Sequence, residues 1–106
     1  MSKLRFYRDE DKAPRALGND EESRVLARLL ESDIQDDAVT CRELLQRIHG
    51  TTQADAPLVH TGNSFTISWT RQSATICNLP VDNDKKITLD TDTLVIALKN
   101  WLSFIS

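Results

Sequence analysis

Seven residues, Ser64 to Thr70, constrain the fold more than any other stretch of this chain. In SFTISWT the apolar Phe65, Ile67 and Trp69 alternate with the polar Thr66, Ser68 and Thr70. Period two sends the first set to one face of a strand and the second set to the other. Such a strand needs neighbours for its backbone and a second layer over its apolar face. The neighbours lie close by in sequence. Arg71-Gln72 reads as a two-residue turn, although it lacks the usual glycine, into a partner strand SATICNL that Pro80 ends. Upstream, Leu58-Val59-His60 forms a short strand, and Gly62-Asn63 is a hairpin-type turn. Ile87-Thr88-Leu89 is a further short extended piece.

Three helical patterns supply the second layer. The first spans residues 20 to 34, with Asn19 as N-cap, Glu22 at the capping-box spacing, and Asp20, Glu21 and Glu22 at the positive end of the dipole. Its apolar stripe is Val25, Leu26, Leu29, Leu30 and Ile34. A second helix begins at 38 or at 41 and runs to 49. Thr40 and Glu43 make a capping box for the later start, and Asp37 caps the earlier one equally well. Cys41, Leu44, Leu45 and Ile48 line its inner face, and Gly50 stands where a left-handed terminator is wanted. A third helix, 92 to 104, follows a cap at Asp90 or Thr91. Its wide apolar face holds Leu94, Leu98, Trp101, Leu102 and Ile105, widened by Val95 and Phe104, and it is expected across the inner sheet face.

At the start of the chain KLRFYR alternates like a half-buried strand. Residues 9 to 19, with Pro14 and Gly18, read as a loop. The expected fold is a single α+β domain over residues 1–106. It has an antiparallel sheet of three to four strands against three helices, in the order β-α-α-β-β-β-α.

Charge then narrows the function. The 106 residues carry a formal net charge of -3. Nucleic acid is excluded as a direct partner because phosphate binding needs a basic face. A basic protein is the better electrostatic match. Two cysteines, Cys41 and Cys77, are too few for a disulfide scaffold and read as reduced thiols of a cytoplasmic protein. No apolar run has signal-peptide length or the ~20 residues of a membrane span. No cofactor motif is present.

No catalytic motif emerges. His49 and His60 with Lys85 or Lys86 are the side chains a ribonuclease would use, but no spacing rule joins them. His49 also suits a helix C-terminus. Asp82 and Asp84 in DNDKK lack the glycine and the distant glutamate of a calcium loop, so no metal is expected. No serine has a nucleophile context.

The remaining anomaly is ESDIQDD, residues 31 to 37. Asp36 and Asp37 have a local reason, since they precede a helix. Glu31 and Asp33 have none: they end a helix, where negative charge opposes the dipole at about 0.3–1 kcal/mol each. Arg28 offsets part of this for Glu31. Residues 19 to 37 hold seven acids and two arginines and form an expected acidic pole. Glu31, Asp33, Asp36 and Asp37 are therefore candidate partner-binding residues. Tyr7 and Trp69 join them, because aromatic residues are enriched at hot spots. The plain alternative is a screened, solvated loop.

Three segments, LLESDIQDDAVTCRELLQRI, HTGNSFTISW and ALKNWLSFI, resemble the small immunity proteins of bacterial contact-dependent growth inhibition systems. They cover about half the chain and are architectural rather than catalytic patterns. The resemblance implies a cytoplasmic binding protein, not an enzyme. It would neutralise one cognate toxin domain, a basic nuclease, by direct contact. That family shares no binding residues that carry over to positions here. A small regulatory or adaptor module is the alternative function.

Overall fold

A computed structural model of the chain describes residues 4–50, 58–62, 65–78 and 86–106. The strand predicted around Phe65 is β4, Phe65–Trp69, and it lies inside a four-stranded antiparallel sheet ordered β3-β4-β5-β6. The other strands are β3 (Leu58–Thr61), β5 (Ser73–Asn78) and β6 (Lys86–Asp90). Register aligns the inner-face side chains in rows. Trp69 pairs with Ala74, which pairs with Leu89; Ile67 pairs with Ile76, which pairs with Ile87. All but Ile87 are buried, and Ile87 packs against the same core. The opposite face is mostly polar, with Ser68, Thr75 and Thr88 in one row that the exposed Val59 completes. Arg71-Gln72 makes the predicted tight turn, closed by a bond from Thr70 N–H to the Ser73 carbonyl at 2.8 Å. Ile87-Thr88-Leu89 belongs to a full fourth strand rather than an isolated extended piece. Asn63, Pro80, Asp82, Asp84 and Lys85 lie outside the described residues, as does the polar loop 51–57.

The helices are α1 (Glu21–Leu29), α2 (Ala38–Gly50) and α3 (Thr91–Ile105). A π-helical turn, Leu30–Ile34, continues α1. The α1 cap is Asp20, not Asn19: its carboxylate accepts from Ser23 N–H at 2.8 Å. The α2 cap is Asp37, whose Oδ1 accepts from Thr40 N–H at 3.1 Å and whose Oδ2 accepts from the Thr40 hydroxyl at 2.8 Å. The earlier of the two predicted starts is therefore correct, because Thr40 serves Asp37 instead of capping. Gly50 remains helical, and no described glycine has positive φ.

The first surprise is β2, Pro14–Gly18, in a segment expected to be a loop. It pairs antiparallel with β1, Leu4–Arg8, to form a separate two-stranded hairpin. Pro14 and Gly18 sit at its two ends, where a missing donor or side chain costs a strand least. Gly18 has a further role. A Cβ there would collide with backbone atoms of Ser23 and Arg24, so only glycine lets β2 run this close to the first turn of α1.

These pieces share one core. The α3 helix packs on β5 and β6 and also on α2, where the buried Cys41 thiol donates to the Leu98 carbonyl at 3.3 Å. Burial pushes that thiol's pKa up to about 11. Across α3 the hairpin closes the other side: the Phe6 ring meets Trp101 edge-on with centroids 5.1 Å apart, and Phe104 at 5.6 Å. Trp101 is fully buried, as its place on the apolar face predicts.

Candidate functional site

The acidic stretch lies where these pieces meet. Its geometry starts from the π-helical turn, whose defining bond runs from Gln35 N–H back five residues to the Leu30 carbonyl at 2.7 Å. Leu30 and Ile34 are buried, so the turn is fixed in the core by its apolar members. Glu31 and Asp33, two residues apart, then leave the helix axis about half a turn from each other.

Glu31 reaches the hairpin. Its Oε1 accepts from the Ala16 N–H of β2 at 2.6 Å and lies 3.8 Å from the Arg15 guanidinium. Glu31 is the main cause that raises the Arg15 pKa above its ordinary range, followed by a hydrogen bond that Arg15 donates to the cross-strand Tyr7 hydroxyl. Asp33 reaches the large sheet. Its Oδ2 accepts from the Phe65 N–H at 3.1 Å, and its Oδ1 accepts from the Ser32 hydroxyl at 3.0 Å. Phe65 and Gly62 face each other at the mouth of the β3–β4 connection, where the Gly62 N–H bonds the Phe65 carbonyl at 2.8 Å. Asp33 thus takes the amide at a position where a ladder bond would otherwise run. The carboxylate lies over Gly62, where any Cβ would overlap it.

Gln35 completes the junction. Its carbonyl accepts from the Trp101 indole N–H at 2.8 Å, which ties the turn to α3. Its backbone has φ 56° and ψ -135°, a conformation that favours glycine. The five-residue turn and the Gln35 that follows it thereby join the hairpin, the large sheet and α3 through two carboxylates and a carbonyl.

This corrects the sequence reading of Glu31 and Asp33. Both have a structural reason. It was hidden because their partners are backbone amides 15 and 32 residues away. Both carboxylates are half-buried and engaged in these bonds. Trp69 is corrected too: the ring is 1% exposed, on the inner face with Phe65 and Ile67. The Arg47 guanidinium covers it, 5.4 Å from the ring centroid. The single acidic pole also dissolves. Asp20, Glu21 and Glu22 begin α1 and line a polar hollow with Lys86. Asp36 and Asp37 lie beyond the π-helical turn, about 20 Å along the helical segment by its rise.

Three of the six candidates stay at the surface: Tyr7, at 42% exposure, and Asp36 and Asp37. Beside the last two stands Val39, 58% exposed on the first turn of α2. The sequence held a signal for it, since Val39 falls outside the Cys41, Leu44, Ile48 stripe.

Among the described residues the histidine set is not assembled. His60 lies opposite Ile67 at the β3 edge, 3.5 Å from Arg47, which also donates to the Val59 carbonyl at 2.6 Å. Lys86 is on β6, three strands away, about 14 Å at the usual strand spacing. Register also puts it on the other face. His49 lies at the end of α2 among different neighbours. Among the described residues no helix is long and apolar enough to cross a membrane, and no group of three His, Cys, Asp or Glu side chains is placed to hold a metal ion. Comparison with family models, with curated proteins and with solved structures finds no match.

Proposed function

We propose that this chain is an immunity protein: a cytoplasmic, non-catalytic binder that neutralises one cognate toxin domain, a basic nuclease, by covering a cationic surface. The observation that carries this reading is the turn from Gln35 to Val39. It presents two exposed carboxylates, Asp36 and Asp37, next to an exposed apolar side chain. Its backbone is already held, by Trp101 on the Gln35 carbonyl and by the Asp37 cap on Thr40. A surface fixed before contact loses little entropy on binding. Exposed carboxylates speed the approach of a basic partner, and an apolar neighbour gives the contact something to bury.

The test begins with co-purification alongside the product of the gene immediately upstream. With a complex in hand, Asp36→Lys is expected to lower the association rate several-fold at low salt, a difference that shrinks as salt screens it. Val39→Ser is expected to raise the dissociation rate. A complex that forms at an unchanged rate with Asp36→Lys would overturn the assignment of this surface. Failure to capture any toxin domain would favour the adaptor role instead.

A further inference from the structure

The other end of α2 holds a second feature that the toxin-binding reading does not use. A hollow of about 460 Å³ opens between the C-terminal part of α2, the β4–β5 turn and the first half of α3. That volume is in the range of small-molecule sites. Leu45, Ile48 and Val95 give it an apolar wall. Its charged members are Arg71 and Lys99 against one carboxylate, Asp92, with the His49 imidazole beside them. Arg71, Lys99 and His49 come from three different elements, so the fold and not a local run of sequence gathers them. The first turn of the 15-residue α3 also borders the hollow, through Thr91 and Asp92, and Asp90 makes no side-chain cap bond to it. The positive end of a helix therefore adds to the excess of basic side chains.

We propose that this hollow binds a small amphipathic anion, a single carboxylate on an aliphatic body. The head would lie toward Arg71 and Lys99, and the body against Leu45, Ile48 and Val95. An apolar wall alone would favour a neutral ligand, and a cationic rim alone would favour a bare anion. Their adjacency in one hollow selects a molecule with both properties. Asp92 is the one lining carboxylate that opposes it, and it disfavours ligands that carry a second negative charge. Asp37, at the start of α2, is about 20 Å away along the helix, so a bound anion and a toxin at the exit turn do not compete directly.

The experiment is a titration of the full-length protein, followed by methyl and amide NMR, with three probes: octanoate, octan-1-ol and acetate. The first has both tail and charge, the second only the tail, the third only the charge. Octanoate is expected to saturate and to shift Leu45, Val95 and Lys99, while the other two bind about tenfold or more weakly. The variant pair Arg71→Gln and Lys99→Gln changes two exposed side chains and is expected to keep the fold, as read from an unchanged Tm. It should lower octanoate affinity about tenfold or more and leave octan-1-ol unaffected. Octanoate that fails to saturate, that shifts residues elsewhere, or that binds the double variant as well as the parent would overturn the proposal. Single Arg71→Lys and Lys99→Arg variants, which keep the charge, should retain binding and guard against a misfolded double variant.

Discussion

Replacing Asp33 by alanine removes a carboxylate that accepts from the Phe65 amide at 3.1 Å and from the Ser32 hydroxyl at 3.0 Å. A hydrogen bond to a charged group contributes about 1.5–3 kcal/mol, and a stranded amide costs about 1–3 kcal/mol. These overlap rather than add, and the site is only part-buried, so a loss of about 2 kcal/mol is expected. At about 4–8 °C per kcal/mol for a domain of this size, Tm should fall by about 8–16 °C. Asp33→Asn keeps the shape and one acceptor oxygen without the charge, and should lose about half as much. Asp36→Ala changes an exposed side chain and should stay within about 0.5 kcal/mol of the parent. Urea unfolding read by the fluorescence of Trp69 and Trp101 separates these cases, with the slope on denaturant held constant across the set. If Asp33→Ala and Asp36→Ala unfolded at the same midpoint as the parent, the structural role of Asp33 would be wrong.

Three other perturbations test the same junction. Trp101→Phe removes the bond to the Gln35 carbonyl and opens space beside Phe6, and should cost about 2–3 kcal/mol by urea unfolding; an unchanged midpoint would contradict this. Gln35→Gly relieves a backbone that favours glycine and should gain about 0.5–1 kcal/mol, whereas a net loss would show that the bond from its side chain to the Ser32 carbonyl outweighs the strain. Burial holds the His60 imidazole below its ordinary pKa; Arg47 adds to this and Asp33 opposes it. The unfolded chain therefore takes up this proton more readily than the folded one. The His60 contribution to stability is full above the unfolded value of about 6.5 and is lost as pH falls through the lower folded value. His60→Gln should flatten the decline in stability between about pH 7.5 and pH 5.5, and an identical pH slope in parent and variant would refute the assignment.

What could be read from the residues depended on the range of the interaction that decides them. The alternation in β4 and the stripe on α3 are local and periodic, and both elements follow them, Trp101 included. The same alternation placed Trp69 beside Phe65 and Ile67, so its burial was legible; the strand end drew it wrongly toward the surface. The β2 strand was obscured because Pro14 and Gly18, its terminal residues, carry the local signature of a loop. The π-helical turn left no trace, since Leu29, Leu30 and Ile34 are apolar in either helical form. Glu31 and Asp33 were the deeper problem. Their local energetics are unfavourable, which the sequence shows, but their compensation lies in amides of β2 and β4 that no spacing rule connects to them. A residue that weakens its own helix can be a sign of function or of a distant backbone partner, and here the partner accounts for it.

Backbone amide exchange at Ala16 and Phe65 is the most direct probe of the claim that two acids of the 31–37 stretch hold the fold together. Both amides should exchange slowly in the parent protein. Glu31→Gln should accelerate Ala16 and leave Phe65 slow, and Asp33→Asn should do the reverse. Ala16 and Phe65 amides that exchanged at parental rates in both variants would contradict the account.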